Sequence, residues 1–116
     1  MLLPIAEWAA WERAVAGGVY APPSLSDDGY VHLSTSAQIA GTLARSFAGR
    51  TDLVLLQVDQ QRLPDPAAVR WEDLWGHGVF PHLYAPLPLE AVVAHWPLQV
   101  DADGRCALPE GRDHAA

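Results

Sequence analysis

From Leu53 to Val58 the chain passes through six residues of which only Gln57 is polar, and Asp59 ends the run. Such a run is too short for a buried helix, and its Leu and Val content suits a strand with neighbours on both sides. The pattern predicts a central strand, and a central strand requires partners from elsewhere in the chain.

From Ala6 to Ala16 the periodicity is helical, with Trp8, Trp11 and Val15 placed on one face and Gly17-Gly18 as the stop. Residues 21–28, with Pro22, Pro23 and two aspartates, read as loop. Asp28-Gly29 then reads as a turn into a short strand, Tyr30 to Leu33. A second helix comes next, started by a Thr35/Gln38 capping-box pair and buried through Ile39, Leu43 and Phe47. Residues 60–68 contain Pro64 and Pro66 and read as loop. Short strands are expected at 69–72, 79–83 and 91–98, with a flexible turn or lid at Gly76-His77-Gly78 and a turn at Asp103-Gly104. Helix, strand, helix and then mostly strands make the fold class α+β.

With 116 residues the chain is expected to form one domain, residues 1–109, with residues 110–116 as a flexible C-terminal tail. Charged residues make up only 18%, which favours a packed globule over disorder. The formal charge of −7 comes from 14 acids against 7 bases, and no lysine occurs. No basic face is available for duplex nucleic acid or an anionic membrane. An arginine can still hold a single phosphate, so a small anionic ligand passes the charge argument. Cys106 is the only cysteine, so no intrachain disulfide is possible, and its plainer reading is a half-buried small residue. The N-terminus has no basic stretch typical of a signal peptide and no apolar run is long enough to span a bilayer, so the expected location is cytoplasmic.

Three residues stand out as candidates for chemistry. His32 shares its strand face with Tyr30 and Ser34, and the strand runs straight into a helix whose free N–H groups suit an anion. His32, Ser34, Thr35 and that helix start would together bind phosphate or ribose; the plainer reading is a buried histidine beside ordinary capping residues. His82 is framed by Pro81, Phe80 and Tyr84 and so is rigidly placed, either for function or as packing. Glu72 comes directly after Trp71, and an adjacent indole would desolvate its carboxylate and raise its pKa toward a general-base value; a solvated strand-end glutamate is the alternative. A metal held by His32, Glu72, His77 and His82 lacks any recognised ligand spacing, so no metal is expected. No nucleophile elbow, phosphate loop or dinucleotide fingerprint is present.

The segments Gly29-Tyr-Val-His-Leu-Ser-Thr, the 54–59 strand ending in Asp59, Trp71-Glu72 and Phe80-Pro-His-Leu-Tyr-Ala-Pro-Leu resemble, in that order, the bacterial family called domain of unknown function 952. Ala85 stands where that family commonly has Gly. The resemblance implies an ADP-ribosyltransferase-like fold, a split mixed β-sheet with two main helices and an NAD-binding cleft. Val31-His32-Leu33-Ser34 most resembles the RNA 2′-phosphotransferase pattern, but that enzyme's first His motif has no counterpart here. Arg45 and Arg50 are approximate candidates for its arginines. The resemblance thus implies an NAD- or nucleotide-using transferase with a cleft around His32 and His82. Catalysis would fall to His32, Glu72 and His82, and cofactor binding to Tyr30, Ser34, Thr35 and Tyr84. The alternatives are a non-catalytic module binding a small nucleotide-like ligand or metabolite, and a small metal-dependent enzyme.

Overall fold

The computed structural model describes residues 1–111. The central strand is where the apolar run places it: β4, Leu53–Val58, has all six residues buried. Upstream lie β1 (Ile5–Glu7), α1 (Trp8–Gly17), β2 (Val19–Tyr20), α2 (Pro23–Asp27), β3 (Val31–His32) and α3 (Ser36–Ser46). Downstream lie β5 (Val69–Glu72), β6 (Phe80–Leu83), β7 (Leu87–Pro88) and β8 (Val92–Leu98), with short 3-10 turns at Gln60–Arg62, Pro66–Ala68 and Leu89–Ala91. The fold is α+β.

Two three-stranded sheets, β1-β4-β8 and β3-β6-β5, are accompanied by the small pair β2-β7. Every strand pair among the described residues is antiparallel, so the expected mixed sheet is corrected to an antiparallel one. Residues at the N-terminus join the two larger sheets. Leu2 bridges Val58 on one side, and Leu3 exchanges two backbone hydrogen bonds with Ser34, at 2.9 and 3.2 Å, on the other.

Because side chains alternate along a strand, β4 feeds two cores. Val54, Leu56 and Val58 join a large cluster with Trp11, Val31, Leu33 and Leu83. Leu53 and Leu55 face the other way, onto Ile39 and Leu43 of α3. Each fully buried leucine contributes on the order of 1.5–3 kcal/mol relative to exposure.

Several local expectations change, beginning with the helix expected from Ala6: Ala6 and Glu7 instead pair with Val54 and Leu53 as part of β1. Helix α1 buries Trp11 and Ala14, whereas Trp8 and Val15 are 45% and 57% exposed. The Trp8 N–H donates to the Asp52 carbonyl at the head of β4, which fixes where the helix starts. Segment 21–28 contains a helix, α2, with a proline in its first turn, where the missing N–H costs nothing. The 60–68 loop contains two 3-10 turns, started by Asp59 and Asp65, whose side chains cap Gln61 and Ala67. The capping box at Thr35 and Gln38 is present, and Phe47 caps α3 as a partly buried residue. Of the tail expected at 110–116, residues 112–116 lie outside the described residues; Glu110 and Gly111 form a turn, and the Gly111 carbonyl accepts from Gln57. Among the described residues no helix is long and apolar enough to cross a membrane.

Candidate functional site

The sheet β3-β6-β5 places residues in rows. His32 lies opposite His82, and His82 opposite Arg70; Phe80 lies opposite Glu72. Alternation sends Val31, Leu83 and Val69 into the core and the residues of these rows to the other face. Above that face, α3, the 22–28 segment and the loop after β5 enclose a cleft of about 620 Å³. His32, Ser34, Glu72 and His82 all line it.

Two histidine–carboxylate pairs meet on its floor. His82 is only 2% exposed, and its Nδ1 lies 3.1 Å from Glu72 Oε1. The Tyr84 hydroxyl donates to the same carboxylate oxygen at 2.6 Å. His32 Nε2 lies 2.9 Å from Asp28 Oδ2. The two imidazoles meet edge to face with centroids 5.9 Å apart, and the Tyr30 ring stacks on His82 at 4.2 Å. A carboxylate on one ring nitrogen favours the proton there and leaves the other nitrogen as a base. Nε2 of His82 and Nδ1 of His32 are the nitrogens so left.

Glu72 departs from its expected environment. Trp71 points to the opposite side of β5, so no indole desolvates the carboxylate. Hydrogen bonds from Tyr84 and then His82 instead hold Glu72 below the usual carboxylate range. The same bond to Glu72 pushes the Tyr84 phenol up. Tyr30 is also pushed up, chiefly by burial.

The expected cofactor-binding residues separate. Ser34 reaches the cleft, but its hydroxyl is already paired with Thr42 at 3.0 Å. Tyr30 and Tyr84 do not line the cleft: the Tyr30 hydroxyl accepts from Trp75 Nε1–H at 2.7 Å, and the Tyr84 hydroxyl donates to Glu72. Thr35 and the N-terminus of α3 face a different depression, near Asp59 and Trp71, so the anion site expected at that helix start does not form in the cleft. His77 lines the cleft, and Asp73 accepts from the Gly76 N–H. Cys106 is half-buried, and burial pushes its thiol up. Among the described residues no three His, Cys, Asp or Glu side chains are grouped to hold a metal ion. The convergence of His32, Glu72 and His82 yields hydrogen-bonded pairs instead.

Asp28 and Trp75 join the site without having stood out in the sequence as site residues. Asp28 reads as turn chemistry, and only the fold returns it to His32. Trp75 is one of five tryptophans and carries no spacing signal.

No curated protein matches the chain. Solved structures do. The crystal structure of protein CC0527 from Caulobacter crescentus is 36% identical, with a TM-score of 0.77 over 91% of this chain and 92% of that one. The solution structure of the same protein is 37% identical, with a TM-score of 0.74 over 99% and 96%. Residues 5–95, which contain both histidine pairs, match the family described as protein of unknown function DUF952. The chain belongs to the DUF952 family.

Proposed function

We propose that this protein is a transferase using NAD or a related nucleotide, with the ligand's sugar lying over His32 and His82. One observation carries the reading: the two histidines are paired in register on the floor of one cleft, each held by its own carboxylate. A cleft of about 620 Å³ falls within the size range of small-molecule and cofactor sites. The choice of NAD comes from the likeness of Val31-His32-Leu33-Ser34 in the sequence to the RNA 2′-phosphotransferase pattern.

When bound, NAD would supply a sugar–nicotinamide bond that can break with the bonding electrons going to the base. The chain's own groups then have defined tasks. Glu72 accepts from Nδ1–H of His82 and fixes that tautomer, so Nε2 is free to take the proton of an incoming hydroxyl or water. Because Glu72 ionises readily, it stays anionic and stabilises both the resulting imidazolium and positive charge building nearby. His32, steadied by Asp28, holds a sugar hydroxyl from the adjacent strand.

The test is incubation with NAD, with nicotinamide release followed by chromatography and binding by calorimetry. Wild type is expected to bind and release nicotinamide. His82→Ala and Glu72→Ala are expected to lose roughly 10²–10⁴-fold in turnover with affinity changed only a few-fold. Binding without release makes the protein a binding module, and absence of binding overturns the nucleotide reading.

A further inference from the structure

We infer that Arg45 is the phosphate anchor of this cleft and sets the direction in which a nucleotide lies; the inference rests on the nucleotide reading above. The chain has no lysine, so the fates of its arginines decide where an anion can be met. Arg50 is held by Asp52 through two bonds of 2.9 Å and by Glu7 at 3.3 Å. Arg62 lies beside Asp59, and Arg70 covers the Tyr84 ring at 4.7 Å. Arg45 is the one arginine lining the cleft among the described residues. Among those residues it has no carboxylate within ion-pair distance, and its guanidinium sits over the Phe80 ring, 5.7 Å from the centroid.

The cleft's carboxylates are all engaged: Glu7 with Arg50, Asp28 with His32, and Glu72 with His82 and Tyr84. Arg45 is thus the unpartnered charge of the wall. In a chain of net charge −7, general electrostatics repel a phosphate, so attraction has to be local. A guanidinium set near an aromatic ring, with no carboxylate on it, keeps its fork of N–H donors free for two phosphate oxygens.

The strand rows set the direction. Helix α3 covers the Ser34–Phe80 end of the sheet, through Thr42 on Ser34 and through Gln38, which donates to the Val79 carbonyl at 2.6 Å. The other end is closed by Trp75, hydrogen-bonded to Tyr30 and 58% exposed. From residue 30 to residue 34 an extended strand covers about 13 Å, with the His32–His82 row midway. A nucleotide with its phosphates on Arg45 therefore lays its sugar over the two histidines and its base against the Trp75 ring.

The experiment compares wild type with Arg45→Gln by calorimetry, using NAD, inorganic pyrophosphate and nicotinamide riboside, which carries no phosphate. The variant is expected to bind NAD and pyrophosphate about 10-fold more weakly or worse, and nicotinamide riboside within two-fold, with an unchanged melting temperature. Equal binding of NAD and pyrophosphate by both proteins overturns the anchor and leaves the nucleotide reading standing. Loss of all three ligands alike also overturns it. Arg45-dependent binding of pyrophosphate without any binding of NAD keeps the anchor and removes the nucleotide. If wild type binds neither pyrophosphate nor NAD, both ideas fall.

Discussion

Trp71 and Glu72 are neighbours in sequence yet face opposite sides of β5, and that alternation decides the chemistry of the carboxylate. Its bonds to Tyr84 and His82 lower the folded-state pKa below the ordinary 4.5. A carboxyl whose pKa falls on folding adds stability above its unfolded value, and that stability is lost as pH drops through the folded value. The stability gap between wild type and Glu72→Gln is therefore expected to be full near pH 6 and to narrow steadily below about 4.5. Urea titrations of both proteins across that range measure it; a gap independent of pH would show that the carboxylate charge is not what the fold uses. The same scale explains what could be seen beforehand. His32 and His82 announce themselves because each interrupts an otherwise apolar strand. Asp28 does not, because its partnership depends on α2 and on the positive φ of Gly29 bringing it back over the strand.

Helix α3 forms one wall of the cleft, and its own position depends on a turn far downstream. Asp101 shapes that turn by accepting from the Asp103 and Arg105 N–H groups, and Gly104 is pressed against the helix. A Cβ on Gly104 would lie 2.8 Å from Ala44 Cα, at a φ of +84°. Gly104→Ala is expected to cost about 2–4 kcal/mol from backbone strain and overpacking together. Gly41→Ala, on the same helix with nothing within 4 Å, should instead stabilise by about 0.5–1 kcal/mol. Thermal melts of the two variants should move in opposite directions. At this scale β4 was legible because its run is apolar on both faces, and α3 because of its capping box. Helix α1 was legible over most of its length, but neither its start, which gives way to β1 at Ile5–Glu7, nor its facing was. The periodicity suggested Trp8, Trp11 and Val15 as the buried stripe, whereas Trp11 is buried together with the small Ala14 and the other two are exposed. Helix α2 was hidden because Pro22 and Pro23 signal a loop start and a helix start alike.

At the scale of the molecule, the two larger sheets hold together through Leu2 and Leu3. The Leu3 side chain is 1% exposed, in the core between β4 and α3, while its backbone is bonded to Ser34 beside the cleft. Leu3→Ala is expected to cost about 2–5 kcal/mol and to shift one cooperative transition, seen at the same urea midpoint by tryptophan emission and by circular dichroism. Two separated midpoints would show instead that the sheets fold independently. Neither the order of strands nor this junction could be read from sequence, because antiparallel partners here are remote and no local pattern names them. That remoteness also governs how the chain reaches its folded state. Strand β4 lies between β1, which precedes it by most of the first half of the chain, and β8, which comes from the second half. Pairing of this kind needs long loops to close before it is rewarded, which slows the search for the native state. During synthesis β4 waits with one edge of backbone N–H and C=O groups unpaired until β8 leaves the ribosome, and in that interval a largely apolar strand is open to pairing with another chain.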